Sequence, residues 1–382
     1  MRTRKLHQIF ANIAGSHRTR QTQALYVPAI RTRHTHLPNA RAKMQAQDFG
    51  ARPGCDTLIR IIATKGFVMD HIFAARSLTA GNFASNPGPT RYLAMPETVT
   101  SPAPAHAIPR RAWFDQVIQD ARHDPHAPGP PSGDVLVYVH GFNNSADTTL
   151  HRHRLIRKGL KTLGYKGAVV SFDWPSASNV LNYLDDRSDA KLTALRLVTD
   201  GIAPFSRVVR QDCDISVHVL AHSMGAFVVR EAFDDADDRP AVAATGWTLS
   251  QVMFAAADVS AQSMATSPTS SSLYRHCVRL TNYSNPYDSV LSISGAKRVG
   301  VAPRVGRIGL PATAPEKAVN VNCGDYYDTN RARFAQVDNA DHAWFFHDQT
   351  FLKDVLFTLQ GDLDRHVIPT RRTEGGQLHL KA

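Results

Sequence analysis

The sequence predicts an α/β protein with a mostly parallel central sheet and helices on both faces. Short apolar runs recur along the chain, and segments of helical periodicity separate them, for example 150–163 and 192–209. The runs are apolar at nearly every position, which is typical of strands that are buried on both faces. Alternation of such strands with helices favours parallel pairing. The runs lie at 134–139, 167–174, 217–222, 251–257, 277–283 and 318–323.

Three segments precede the first of these runs. Residues 1–57 form a basic extension, because residues 1–47 contain nine Lys or Arg and no Asp or Glu. The other 335 residues carry 35 basic and 33 acidic side chains, so most of the formal net charge of +11 belongs to the extension. A strand is expected at 58–70, at an edge of the sheet. The proline-rich stretch 87–131 predicts an extended covering segment.

The basic extension has three open interpretations. It is a disordered solvated segment, which we favour, a targeting peptide, or a segment that weakly contacts anionic lipid or nucleic acid. Its apolar run Ile9–Ala14 is too short to span a bilayer, and no later run reaches 18 apolar residues. We therefore expect a soluble cytoplasmic protein without a specific nucleic-acid partner. The four cysteines are widely spaced and include no CxxC pair, which favours reduced thiols.

The apolar run 217–222 leads into a serine between small residues. Ser223 stands before a helical pattern at 226–233, with Ala221 two positions before it and Gly225 two positions after it. A serine on a sharp strand-to-helix turn has a strained backbone, and only small neighbours permit the close crossing of strand and helix. This pattern is typical of a nucleophile elbow and predicts Ser223 as the nucleophile.

A second loop with a chemical role is expected after the strand 134–139. His140, Gly141 and Phe142 follow that strand directly. In this arrangement the backbone N–H of Phe142 and that of Met224 would stabilise the negative oxygen of a tetrahedral intermediate. Four neighbours are expected to support the loop and the elbow: His140, Gly141, His222 and Gly225.

A serine needs a base, and the base needs an acid that orients it. In this layout the chain order is serine, acid, histidine. Asp288 follows the second strand after the elbow and is the favoured acid, while Asp258, one strand earlier, is the alternative. Four histidines follow Asp288, of which two lie beyond the last predicted helix. This leaves His342 and His347 as candidate bases.

Six segments together carry a family resemblance: 135–144, Phe172–Ser176, Tyr183 with Asp186, 221–225, 282–288 and the stretch from His342 to Asp354. In these segments the sequence resembles the bacterial α/β-hydrolases of unknown function called the DUF900 family, and the resemblance covers residues 58–365. The resemblance implies the α/β-hydrolase fold, favours His342 over His347 as the base, and favours an ester over an amide substrate. Residues 366–382 then remain as a C-terminal tail outside the domain.

We therefore expect a serine hydrolase that cleaves a small-molecule carboxylic ester through an acyl-enzyme, with no cofactor and no metal. A non-catalytic hydrolase-like binding module is the alternative, as is a thioesterase or peptidase that uses the same triad. The chain contains no GxxxxGK[ST], GxGxxG or HExxH motif, which argues against P-loop, dinucleotide-binding and zincin classes. The sequence leaves the acyl length of the substrate and the oligomeric state open.

Overall fold

A computed structural model of the chain describes residues 68–124, 132–176, 183–209, 214–267, 271–296 and 302–381. These residues belong to one unit of the chain, Arg52–Ala382. The basic extension 1–57 and most of the strand expected at 58–70 lie outside the described residues.

One mixed sheet of eleven strands runs through the described part of the chain. Its strands are β1 (Met69–Thr79), β2 (Asn82–Pro96), β3 (Ala107–Ile108), β4 (Ser132–Val139), β5 (Ala168–Asp173), β6 (Asp214–His222), β7 (Leu249–Ala255), β8 (Cys277–Ser284), β9 (Ala318–Asn322), β10 (Arg371–Glu374) and β11 (Gln377–Leu380). The order is β10-β11-β9-β8-β7-β6-β4-β5-β1-β2-β3. All neighbours from β11 to β1 are parallel, and the antiparallel pairs lie at the two ends. The predicted fold class is confirmed.

Helices fill the crossovers between the parallel strands. They are α1 (Arg110–Ala121), α2 (Ala146–Thr162), α3 (Tyr183–Arg196), α4 (Ala203–Val209), α5 (Met224–Asp237), α6 (Pro240–Ala243), α7 (Ser271–Arg275), α8 (Ser289–Ala296), α9 (Val305–Ile308), α10 (Gly324–Asn330), α11 (Ala340–Ala343) and α12 (Gln349–Gln360). A π-helical segment, Leu197–Ile202, joins α3 to α4. Among the described residues, no helix is both long and apolar enough to span a bilayer.

The side chains of β4 show that both faces of the sheet are covered. Val135 and Val137 belong to a buried cluster with Trp113 of α1 and residues of α5. On the other face, Leu136 and Tyr138 belong to a second cluster, to which α2 and α12 contribute. Because successive strand residues point to opposite faces, this arrangement requires apolar residues at every position.

Strand β1 lies inside the sheet, between β5 and β2, and shares only residues 69 and 70 with the strand predicted at 58–70. The antiparallel strand β2 covers it, although part of β2 lies in the stretch expected to be a covering segment. Pro87 is opposite Arg76, where the register of the two strands shifts on both sides. Such bulges permit a proline, which lacks a backbone N–H, within a paired strand.

The segment 366–382 was predicted to be a C-terminal tail outside the domain. In the structure it contains two strands of the sheet, β10 and β11. Strand β11 pairs with β9, with Leu378 opposite Val321. Arg371 of β10 is buried and donates to both carboxylate oxygens of Asp354 in α12. The partner of this arginine lies on another element, so the polar composition of the segment gave no indication of burial.

Candidate active site

The elbow between β6 and α5 has the strained backbone that the sequence predicted. Ser223 has φ 55° and ψ −124°, a conformation that L-residues with side chains seldom adopt. A side chain at Gly225 would place its Cβ 2.4 Å from the carbonyl oxygen of Val139 and 2.6 Å from that of His140. Only glycine permits this crossing of α5 over β4.

Backbone hydrogen bonds fix the strained serine to the end of β7. The N–H of Ser223 donates to the carbonyl oxygen of Ala255 at 3.0 Å, and its own carbonyl oxygen accepts from the N–H of Asp258 at 3.0 Å. Strain of this kind costs about 1–3 kcal/mol and persists only where the surroundings over-determine it. A strained backbone that its neighbours hold in place is typical of functional sites.

The loop after β4 lies directly beside this serine. A Cβ placed on Gly141 would be 2.8 Å from the Cβ of Ser223. Phe142 is half-buried, and the next residue, Asn143, has a left-handed backbone with φ 57°. Met224 is the first residue of α5, whose amino terminus carries a partial positive charge. The two residues predicted for the oxyanion site therefore adjoin Gly141 and Ser223 where the loop and the elbow meet.

The favoured acid and the favoured base are in direct contact. The Nδ1 of His342, in α11, lies 2.7 Å from the Oδ2 of Asp288. Both side chains are buried, and the Oδ1 of Asp288 accepts a hydrogen bond from the N–H of Leu291 in α8. Since a carboxylate only accepts, Nδ1 of His342 carries the proton. This tautomer leaves Nε2 of the ring as the nitrogen that can act as a base.

The two alternative residues have other neighbours. The carboxylate of Asp258 forms a buried ion pair with Arg304 at 2.9 Å. His347 is exposed, and its ring lies 6.5 Å from that of His151 on α2. Of the four candidates, the structure therefore brings together Asp288 and His342.

His222 links the elbow to the loop of His342, a role that the sequence did not show beyond general support. Its Nε2–H donates to the carbonyl oxygen of His342 at 2.9 Å, and the two rings are 4.6 Å apart. Burial lowers the pKa of His222 well below its usual value, with the nearby His342 as a further cause. The ring is therefore neutral, and its one N–H is on Nε2, which donates this hydrogen bond.

Lowering the pH from 7 to 5 is expected to destabilise the fold, because several of its histidines are buried. Burial lowers the pKa of His71 from 6.5 to about 4, because a charged ring is poorly solvated there. The unfolded chain takes up protons from pH 6.5 downwards, so stability falls by up to about 1.4 kcal/mol per pH unit for each such group. The pKa of a further three buried histidines is also lowered mainly by burial: His140, His153 and His222.

Urea unfolding at pH 8, 7, 6 and 5 measures this effect. We expect the free energy of unfolding to decrease from pH 7 to pH 5, and His71→Gln to reduce the slope. The exposed His151, replaced by Gln, serves as the control and should leave the slope unchanged. Equal stability at pH 7 and pH 5 would contradict the prediction. Asp70 does not contribute in this window, since its pKa is held at about 2.

Two residues that sequence analysis did not single out contact the loop after β4. Arg76 of β1 and Asp173 at the end of β5 are buried, and their side chains pair at 2.8 Å. Each also bonds to this loop, Arg76 to the carbonyl oxygen of Asn144 and Asp173 to His140. A lone arginine after the apolar stretch 72–75 was a signal that could have indicated a buried acidic partner.

One group of three possible metal ligands occurs within the described residues: Asp325, Glu374 and His379. The guanidinium of Arg372 donates to Asp325 at 2.9 Å and to Glu374 at 3.1 Å. A cationic side chain therefore already pairs with both of these exposed carboxylates, and we assign no metal to them.

A polar cavity of about 720 Å³ lies at the opposite edge of the sheet from Ser223. It is lined by residues at the starts of β4, β6, β7 and β8 and at the end of α12, among them Asp134 and His218. Parallel α/β sheets bind ligands at the carboxyl ends of their strands. We therefore place the candidate site at Ser223 and not in this cavity.

A mostly parallel sheet, a strained serine on a strand-to-helix turn and a histidine–aspartate pair beyond later strands define an α/β-hydrolase. The family described as "Alpha/beta hydrolase of unknown function (DUF900)" matches residues 124–342. The chain belongs to this family, which confirms the resemblance seen in the sequence.

Solved structures with a similar fold share little sequence with this chain. Phospholipase PlaB from Legionella pneumophila, in complex with thio-NAD, is 13% identical and covers 65% of this chain and 67% of its own, with a TM-score of 0.31. A putative hydrolase from Agrobacterium vitis S4 is 11% identical, covers 68% and 90%, and has a TM-score of 0.32. A hyperthermophilic esterase from Pyrobaculum calidifontis is 14% identical, covers 57% and 79%, and has a TM-score of 0.28. No protein of curated function matches the chain.

Proposed function

We propose that this protein is a serine hydrolase that cleaves small-molecule carboxylic esters with Ser223, His342 and Asp288. The observation that carries the proposal is the 2.7 Å hydrogen bond between His342 and Asp288, in a fold that also holds Ser223 in a strained turn. Covalent acyl transfer by a serine needs an adjacent base, and the base needs a third group that orients it.

Each residue has a defined step in the proposed reaction. Nε2 of His342 takes the proton of the Ser223 hydroxyl as the serine oxygen attacks the ester carbonyl. Asp288 accepts from Nδ1 and stabilises the imidazolium that forms. The backbone N–H groups of Phe142 and Met224 stabilise the oxyanion of the tetrahedral intermediate. His342 then protonates the leaving alcohol and later activates the water that releases the acid.

The same proposal includes a cytoplasmic location for the enzyme. Two described cysteines, Cys277 and Cys323, are free and buried. Burial raises the pKa of the Cys277 thiol to about 11, so it is not a competing nucleophile. Free thiols are consistent with a cytoplasmic location. The proposed chemistry needs no cofactor, and weak anionic-surface contact through the basic extension stays a prediction.

A fluorophosphonate probe tests the proposal directly. We expect the wild type to become labelled, mass spectrometry to find the label on the peptide that contains Ser223, and p-nitrophenyl acetate and butyrate to be hydrolysed. Ser223→Ala should neither label nor turn over. A wild type that is folded by circular dichroism but neither labels nor hydrolyses would reject the enzyme and favour the binding module.

A further inference from the structure

The loop that carries Phe142 is held by a buried charged network on one side. Arg76 is only 3% exposed, and its Nε lies 2.8 and 2.9 Å from the two carboxylate oxygens of Asp173. The register of β1 and β2 shifts on both sides of Arg76, which marks a bulge. Bulges re-aim a side chain, here towards the carboxyl end of the neighbouring strand β5.

The amino end of the loop is fixed through His140. Its Nε2 lies 3.1 Å from the Oδ1 of Asp173, and its ring stacks on that of Trp174 with an interplanar angle of 7°. The indole N–H of Trp174 donates to the carbonyl oxygen of His140 at 2.8 Å. His140 is fully buried, so its backbone and its ring are both held in place.

The carboxyl end of the loop is fixed at Asn144 by the same arginine. The NH2 group of Arg76 donates to the carbonyl oxygen of Asn144 at 2.7 Å, and the hydroxyl of Ser176 donates to it at 3.0 Å. The side-chain amide of Asn144 in turn donates to the carbonyl oxygen of Gly141 at 2.8 Å. Phe142 and the left-handed Asn143 lie between these fixed ends.

The network is ionic, although buried apolar groups of similar volume are often at least as stable as a buried ion pair. Burial alone would raise the pKa of Asp173, but Arg76 and His140 hold it below its usual value, so the carboxylate stays charged. Buried ion pairs seldom stabilise a fold more than apolar groups of the same volume, because both charges lose their hydration. Directional hydrogen bonds, by contrast, fix peptide orientation to within tenths of an ångström, as an oxyanion site requires.

We propose that Arg76, Asp173 and His140 are positioning residues that hold the Phe142 N–H in the orientation that binds the oxyanion. This inference rests on the proposed function. The peptide is fixed before substrate binds, so the donor needs no reorganisation as the negative charge develops. Disturbing the network therefore weakens transition-state binding and lowers kcat, while KM for a small ester stays nearly constant.

The first test is Asp173→Asn, with kcat and KM for p-nitrophenyl butyrate measured per active site titrated with fluorophosphonate. Loss of one oxyanion donor typically costs about 10²–10³ in kcat, and a misaligned donor is expected to cost about 10–10². Arg76→Lys is the second variant, because it keeps the charge beside Asp173 but cannot reach both Asp173 and Asn144. It should lower kcat in the same direction.

Asp70→Asn is the matched control for a general loss of stability. Asp70 is fully buried and pairs with Arg154 at 2.6 Å and Arg157 at 3.0 Å, near the start of β1 and six positions before Arg76. We expect this variant to lower the Tm but to keep kcat per active site within about twofold. Equal losses of kcat in Asp70→Asn and Asp173→Asn would overturn the inference, since they would indicate a structural effect only.

Inhibition by butylboronic acid adds a readout that a merely structural role would not change, because its adduct with the serine mimics the tetrahedral intermediate. We expect its Ki to rise in Asp173→Asn by about the same factor as kcat falls. If the wild type is active but Asp173→Asn and Arg76→Lys leave kcat and Ki unchanged, the inference about positioning is overturned and the proposed function is not. An inactive, unlabelled wild type would overturn the proposed function.

Discussion

His342→Ala is expected to lower kcat for p-nitrophenyl butyrate by about 10⁴-fold or more, with little change in KM. Without the imidazole, no group takes the proton of the Ser223 hydroxyl, and a neutral hydroxyl is a poor nucleophile at pH 7. Asp288→Asn should cost about 10⁴-fold, because an amide N–H facing Nδ1 favours the wrong tautomer of His342. Steady-state assays with the two purified, folded variants measure these changes in kcat and KM.

A double variant tests whether the serine and the histidine act as one unit. Ser223→Ala and His342→Ala together are expected to reduce kcat no further than either change alone, as is usual for residues of one catalytic constellation. His347→Ala is the control, since its exposed ring faces His151 and not Asp288. A full loss of activity in His347→Ala, with activity retained in His342→Ala, would contradict the assignment of the base.

The elements that the sequence predicted are those whose signal is local. Strand β4 is apolar at consecutive positions because both of its faces are covered, and that pattern is visible in the five residues 135–139. The elbow is equally local, because the strain at Ser223 dictates a small residue at 225. Asp288 and His342 followed from chain order and the ends of strands, without any knowledge of their distance.

The remaining features depend on partners far apart in the chain. Arg76 pairs with Asp173, 97 positions later, and although the apolar stretch before Arg76 indicates burial, it does not identify the partner. The same holds for β10 and β11, in which only Leu378 and Leu380 are apolar and which join the sheet beside β9. The local sequence around a buried charge does not show which distant residue pairs with it.

Asp354→Ala is expected to lower the free energy of unfolding by about 3–5 kcal/mol, a large part of the 5–15 kcal/mol typical of a domain. Asp354 and Arg371 are both fully buried, and the carboxylate also accepts from the hydroxyls of Tyr283 at 2.7 Å and Thr370 at 2.6 Å. Its loss leaves the guanidinium of Arg371 buried without a counter-charge. Urea unfolding at pH 7 measures the difference.

The double variant Asp354→Leu/Arg371→Met separates the value of the pair from the cost of an orphaned charge. It should recover most of the stability lost in Asp354→Ala, because no buried charge remains. Arg372→Ala on the same strand is the matched control: its partners Asp325 and Glu374 are exposed, so the loss should stay within about 1 kcal/mol. A loss in Arg372→Ala as large as that in Asp354→Ala would mean that β10 is sensitive to any change of charge. The buried pair would then not be what holds the C-terminal strands to α12.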